Sequence, residues 1–175
     1  GIDNIHRLSL LSRDALEESL DFSLRERNLL ITFHPVTLEQ NTSAQQMKEL
    51  LAALKQQERV QLIFTMPNAD TEGRVLFKII EEFVQQNPER AKVFKSLGQL
   101  RYLSCLKHVD AVVGNSSSGL AEAPSFQIGT INIGDRQRGR LKAASVIDCE
   151  PDHDSIRHAL EKLYSSSFQN QLASI

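Results

Sequence analysis

Ala111-Val112-Val113-Gly114-Asn115-Ser116-Ser117-Ser118-Gly119 is the stretch on which the fold turns. Three apolar residues in a row, without alternation, suit a short strand buried on both faces, as in a parallel sheet. Gly114 then permits a sharp turn. The serines open a helix candidate over Ser117–Phe126, because side-chain oxygens cap helix starts. Strand, small polar turn and helix in sequence make one unit of an α/β domain.

The same unit recurs on both sides. Strand-length apolar runs occur at Leu29–Phe33, Val60–Thr65, Thr130–Ile133 and Ala144–Ile147, with a weaker one at Ala91–Phe94. Between them lie apolar stripes of helical period. Met47, Leu50, Leu51 and Leu54 form one; Val75, Leu76, Ile79, Ile80 and Phe83 a second; Ile156, Ala159, Leu160 and Leu163 a third. Gln99–His108 is a shorter candidate, and Asp14–Phe22 reads as a short helix capped by Ser12. Strand alternating with helix predicts a doubly wound, Rossmann-like parallel sheet with helices on both faces. Residues 1–27 form a lead-in, residues 28–165 the domain proper, and residues 166–175 a tail with little pattern, expected to fray.

Composition narrows the field. The 175 residues are 41% hydrophobic and 24% charged, enough for one domain with its own core. A formal net charge of -2 disfavours a nucleic-acid or anionic-membrane surface. No apolar run reaches the ~20 residues of a membrane span, and the first ten residues lack signal-peptide order. Cys105 and Cys149 form no CxxC pair, so a disulfide scaffold or cysteine zinc site is excluded and a reducing cytoplasm is the expected compartment. The start at Gly1 rather than methionine reads as a domain boundary within a longer protein.

In a parallel α/β sheet, ligands bind beyond the carboxyl ends of the strands. Polar residues gather there: His34-Pro35-Val36-Thr37 after the first strand, Pro67-Asn68-Ala69-Asp70 after the second, Asn115–Gly119 after the fourth, and Asp135–Arg140 after the fifth. Serines at a helix start combine hydroxyls, free N–H groups and the positive end of the helix dipole, which suits a phosphate. The same serines also serve as a plain cap. Glu122 can accept two hydrogen bonds from a ribose diol, or it can simply favour the helix start by its charge. Arg136, Arg138 and Arg140 suit phosphate oxygens, or form a solvated basic turn. His34 stands directly after a buried strand, where a histidine is either structural or faces a ligand. No G-x-G-x-x-G, P-loop, G-x-S-x-G or HExxH pattern occurs. His153 and His158, at i and i+5, do not make a metal pair, and no metal or cofactor is expected.

Taken in order, the motifs His34–Thr37, Pro67–Asp70, Gly114–Gly119 with Glu122-Ala123-Pro124, and Ile131–Arg140 closely resemble the carboxyl-terminal half of UDP-N-acetylglucosamine 2-epimerases. The nearest resemblance is to the hydrolysing branch that feeds sialic-acid synthesis, and it covers essentially residues 1–165. It implies one domain of a two-domain, glycosyltransferase-B-like fold that holds UDP in the interdomain cleft. It further implies that Ser116 and Ser117 contact the diphosphate, that Glu122 takes the ribose hydroxyls, and that Arg136 and His34 meet the phosphates. Asn68 would lie near the nucleotide, and Arg140 matches the motif without a settled role. The family eliminates UDP and adds water to give N-acetylmannosamine and UDP. Its acid/base carboxylates lie in the amino-terminal domain and have no counterpart here. The chain thus reads as an excised domain, inactive alone, whose partners are UDP or UDP-N-acetylglucosamine, the missing domain, and a second copy, since the family tends to dimerise. Two other readings stay open: a UDP-sugar glycosyltransferase domain, and a non-catalytic UDP-sugar-binding module.

Overall fold

The computed structural model describes residues 9–34, 40–66, 71–115, 122–134 and 144–175. In chain order they form α1 (Arg13–Leu20), β1 (Arg27–Thr32), α2 (Gln40–Lys55), β2 (Val60–Thr65), α3 (Thr71–Gln86), β3 (Ala91–Phe94), α4 (Gly98–His108) and β4 (Ala111–Gly114). A 3-10 turn (Ala123–Phe126), β5 (Gly129–Ile133), β6 (Val146–Cys149), α5 (His153–Leu163) and α6 (Ser166–Ala173) complete the order. The six strands make one parallel sheet in the order β3-β2-β1-β4-β5-β6. This is the doubly wound, Rossmann-like arrangement that the alternation predicts, and its strand order reverses between β1 and β4.

The sheet is buried on both faces because neighbouring strand residues point opposite ways. Leu29 and Ile31 of β1, Leu62 and Phe64 of β2, Val113 of β4 and Ile131 of β5 face one side. There they meet Met47, Leu50 and Leu54 of α2, Leu76 and Ile80 of α3, and Ile156, Leu160 and Leu163 of α5. Leu30, Ile63 and Val112 face the other side and meet Leu16 and Leu20 of α1, Leu103 and Leu106 of α4, and Ala123. Each such aliphatic side chain, fully buried, stabilises by about 1.5–3 kcal/mol before ordering costs.

Local chemistry sets the helix starts. The Ser12 hydroxyl accepts from the Ala15 N–H at 3.2 Å, the Asp152 carboxylate from Ser155 N–H at 2.8 Å, and the Ser165 hydroxyl from Phe168 N–H at 3.3 Å. The lead-in is docked through its residues 10 and 11. Leu10 and Leu11 pack on the α1/α4 layer, Leu11 N–H donates to Ser104 Oγ at 2.9 Å, and His108 Nε2 meets the Leu11 carbonyl at 3.2 Å. His108 thereby helps to hold the lead-in against the domain.

Three expectations differ from the structure. Val75, counted in the apolar stripe of α3, is 48% exposed, while Leu76, Ile80 and Phe83 carry the buried face. The last strand starts two residues later than the apolar run, because Ala144 and Ser145 form the turn into it, with Ser145 C=O accepting from Thr130 N–H at 2.9 Å. The stretch expected to fray contains α6, whose Phe168 and Leu172 are 3% exposed in the main core. None of the described helices is long and apolar enough to cross a membrane.

Candidate functional site

The reversal of strand order places the ends of β1 and β4 side by side, with Thr32 in register with Gly114. The two strands approach so closely there that a Cβ on Gly114 would lie 2.0 Å from the Thr32 carbonyl oxygen. Only glycine fits. One residue further on, the backbones part and a side chain bridges them. The Asn115 carboxamide oxygen accepts from the His34 N–H at 2.8 Å, and its NH2 group donates to the His34 carbonyl at 2.7 Å. Asn115 is 3% exposed, and His34 is half-buried.

Beside His34 opens a cavity of about 430 Å3 lined by Thr32, His34, Thr65, Lys95, Ser96, Leu97, Gly98, Gln99 and Tyr102. Its floor is the ends of β1 and β2, and its wall is the amino end of α4. Leu97 supplies no side-chain cap, the Ser96 hydroxyl accepts from Gly98 N–H at 3.4 Å, and this helix end lines the cavity together with Lys95. The wall is held from behind. Arg101 Nε donates to the Leu97 carbonyl at 2.9 Å and its NH2 group to the Ser96 carbonyl at 3.1 Å, while its guanidinium lies 5.7 Å from the Phe94 ring centroid. The Thr32 hydroxyl is buried in the floor without a hydrogen-bond partner. A mixed apolar and polar cavity with one lysine and a helix start on its wall suits an anion with an attached ring.

Glu122 has helical backbone angles, φ -106° and ψ -34°, and leads directly into the 3-10 turn. Ala123 at the head of that turn is buried among α1 and α4, so Glu122 belongs to the same side of the sheet as the cavity. Of the residues picked out from the sequence, His34 stands at the carboxyl edge that the doubly wound rule concerns, and Glu122 shares a face of the sheet with the cavity. Asn68, Ser116, Ser117, Arg136 and Arg140 lie outside the described residues. The cavity residues Thr32, Thr65, Lys95 and Tyr102 escape sequence reading, because three segments far apart in the chain contribute them. Burial pushes both cysteine thiols up to about 12, with Asp152, Asp148 and Glu150 adding to the effect at Cys149, which disfavours the thiolate form.

Residues 1–175 match the protein family described as UDP-N-acetylglucosamine 2-epimerase. The chain belongs to the UDP-N-acetylglucosamine 2-epimerase family. Among curated relatives, a Campylobacter jejuni protein named GDP/UDP-N,N'-diacetylbacillosamine 2-epimerase (hydrolyzing) is 40% identical over 94% of this chain and 42% of its own length. The chain therefore spans well under half of that epimerase. Among solved structures, a UDP-GlcNAc 2-epimerase from Neisseria meningitidis, bound to UDP-GlcNAc, superposes with a TM-score of 0.68 at 13% identity, over 91% of this chain and 42% of that one. The carboxyl-terminal domain of a group 1 glycosyl transferase from Francisella tularensis superposes with a TM-score of 0.63 at 11% identity, over 97% of this chain and 91% of the other. The epimerase-family chain therefore has the fold of a single glycosyltransferase-B-type domain.

Proposed function

We propose that this chain is the UDP-holding part of a hydrolysing 2-epimerase. In that reaction UDP leaves C1 of UDP-N-acetylglucosamine with the electron pair of the C1–O bond, and a proton leaves C2. Water then adds to the unsaturated sugar to give N-acetylmannosamine. The observation that carries the reading is the junction of β1 and β4, where His34 and the cavity rimmed by Lys95 stand at the carboxyl edge of an epimerase-family domain. In this reading Ser116 and Ser117 contact the diphosphate through hydroxyls and free N–H groups. His34 and Arg136 meet the phosphates, Glu122 takes the ribose hydroxyls, and Asn68 lies near the nucleotide. Arg140 adds positive charge to the same loop. The cavity beside His34 then receives the base. The task of these groups is to neutralise charge on a departing diphosphate, and one such donor contributes about 3–4 kcal/mol to barrier lowering. The carboxylates that move protons at the sugar belong to a second, amino-terminal domain of the same protein, and turnover requires both. A homodimer, a place in sialic-acid synthesis and a cytoplasmic setting follow from the same family reading.

Titration calorimetry of the chain with UDP tests this. Weak, saturable binding is expected. No heat at millimolar UDP from a chain shown folded by circular dichroism overturns the reading. Glu122→Ala and Arg136→Ala should each weaken binding about tenfold, the scale of a lost charge-assisted hydrogen bond. The name of the Campylobacter relative favours a diacetylated sugar on UDP or GDP as a second reading of the substrate. Product analysis of the full-length protein with UDP-N-acetylglucosamine and with UDP-N,N'-diacetylbacillosamine separates the two.

A further inference from the structure

We propose that Asn115 is a positioning residue for the His34 imidazole, and through it for the nucleotide. The proposal rests on the reading of His34 as a phosphate contact. Beyond Gly114 the parallel ladder stops, and the Asn115 carboxamide continues it by one rung made from a side chain. It accepts from the His34 N–H at 2.8 Å and donates to the His34 carbonyl at 2.7 Å. Both bonds go to one residue's backbone. They therefore fix the peptide planes on each side of the His34 Cα, and with them the direction in which its side chain leaves the backbone.

The chemistry requires this side chain. A carboxamide of this length offers one acceptor and one donor in a common plane. A carboxylate would set an oxygen against the His34 carbonyl, and a shorter hydroxyl would not span both groups. Pro35 supports the same end, because a residue before proline is confined to extended backbone. Asn115 is also the residue directly before Ser116 and Ser117. One buried side chain, 3% exposed, thus ties the loop that carries His34 to the start of the serine segment. The backbone that carries His34 is thereby tied to the end of β4 before ligand arrives, which removes an ordering cost from binding.

A double-mutant cycle read by UDP titration tests the proposal, using the wild-type chain, Asn115→Ala, His34→Ala and the double variant. Asn115→Ala should weaken UDP binding about tenfold in the wild-type background and less than about twofold in the His34→Ala background. A purely structural Asn115 would cost the same in both backgrounds, and that result overturns the proposal. Hydrogen exchange of the His34 amide in the wild-type chain needs no variant and decides the matter if Asn115→Ala does not fold. Protection of that amide is expected, and exchange at the rate of an open loop overturns the clamp. A wild-type chain that takes no UDP overturns the UDP reading itself and this proposal with it. A wild-type chain that binds UDP while Asn115→Ala binds it equally well overturns this proposal alone.

Discussion

A methyl group on Gly114 would sit 2.0 Å from the Thr32 carbonyl oxygen and 2.7 Å from its carbon. These are backbone atoms of a central strand, so they cannot swing aside as a side-chain end would. Gly114→Ala should therefore lower stability by about 3 kcal/mol, the upper range for overpacking, as read from the urea midpoint. It should also weaken UDP binding, because the strand ends that part there carry His34 and Asn115. The glycine was readable in the sequence as a turn after a strand. The contact that forbids a larger residue was not, since Thr32 is remote in the chain. The same limit holds for Asn115 and His34, which are 81 positions apart. Ser12, by contrast, caps a helix through an N–H three residues away, and nearness in sequence made it predictable.

Elements follow the same rule. Strands β1, β2 and β4 contain continuous apolar runs, as burial on both faces allows, whereas β5 alternates, with Thr130 and Asn132 buried on either side of Ile131. Helix α6 escaped because only Phe168 and Leu172, at i and i+4, mark its apolar face, amid serine, glutamine and asparagine. Its cap, Ser165, was the available signal. Phe168 lies close over Gly129, where an added Cβ would come within 3.2 Å of its ring. Phe168→Ala should cost about 3–5 kcal/mol in a denaturant melt, yet leave UDP affinity unchanged, since β5 begins at the edge remote from the site. At that remote edge, Asp110 Oδ2 accepts from Asn28 N–H at 3.0 Å and from the Tyr164 hydroxyl at 2.9 Å, while Arg27 stacks 4.2 Å over the Tyr164 ring. Burial is the main cause that raises the Asp110 carboxyl above the usual carboxylate range. A carboxyl raised in the folded state contributes stability below its unfolded value, about 3.9, and that contribution is lost as pH rises through the folded value. Asp110→Asn keeps an oxygen for both donors and does not titrate. The stability of the wild type relative to Asp110→Asn should therefore fall as pH rises above about 4, measured by paired urea melts.

At the scale of the molecule, the doubly wound topology was readable because it depends only on the alternation of strand and helix. The cavity was not, because its lining is drawn from the ends of β1 and β2 and from the segment running from β3 into α4. All strands run the same way, so α2, α3, α4 and α5, each entered from the carboxyl end of a strand, start toward that same edge. Each contributes about half a positive charge there and about half a negative charge at its other end. A chain of net charge -2 is thus an electric dipole, positive where the nucleotide is proposed to dock. An approaching anion is turned toward that end before any contact forms. Raising salt from 0.15 M to 1 M shortens the screening length from about 8 Å to about 3 Å. In stopped-flow mixing with UDP, that change should slow association several-fold and alter dissociation far less. The parallel sheet would then act on the rate of capture as well as on the shape of the site.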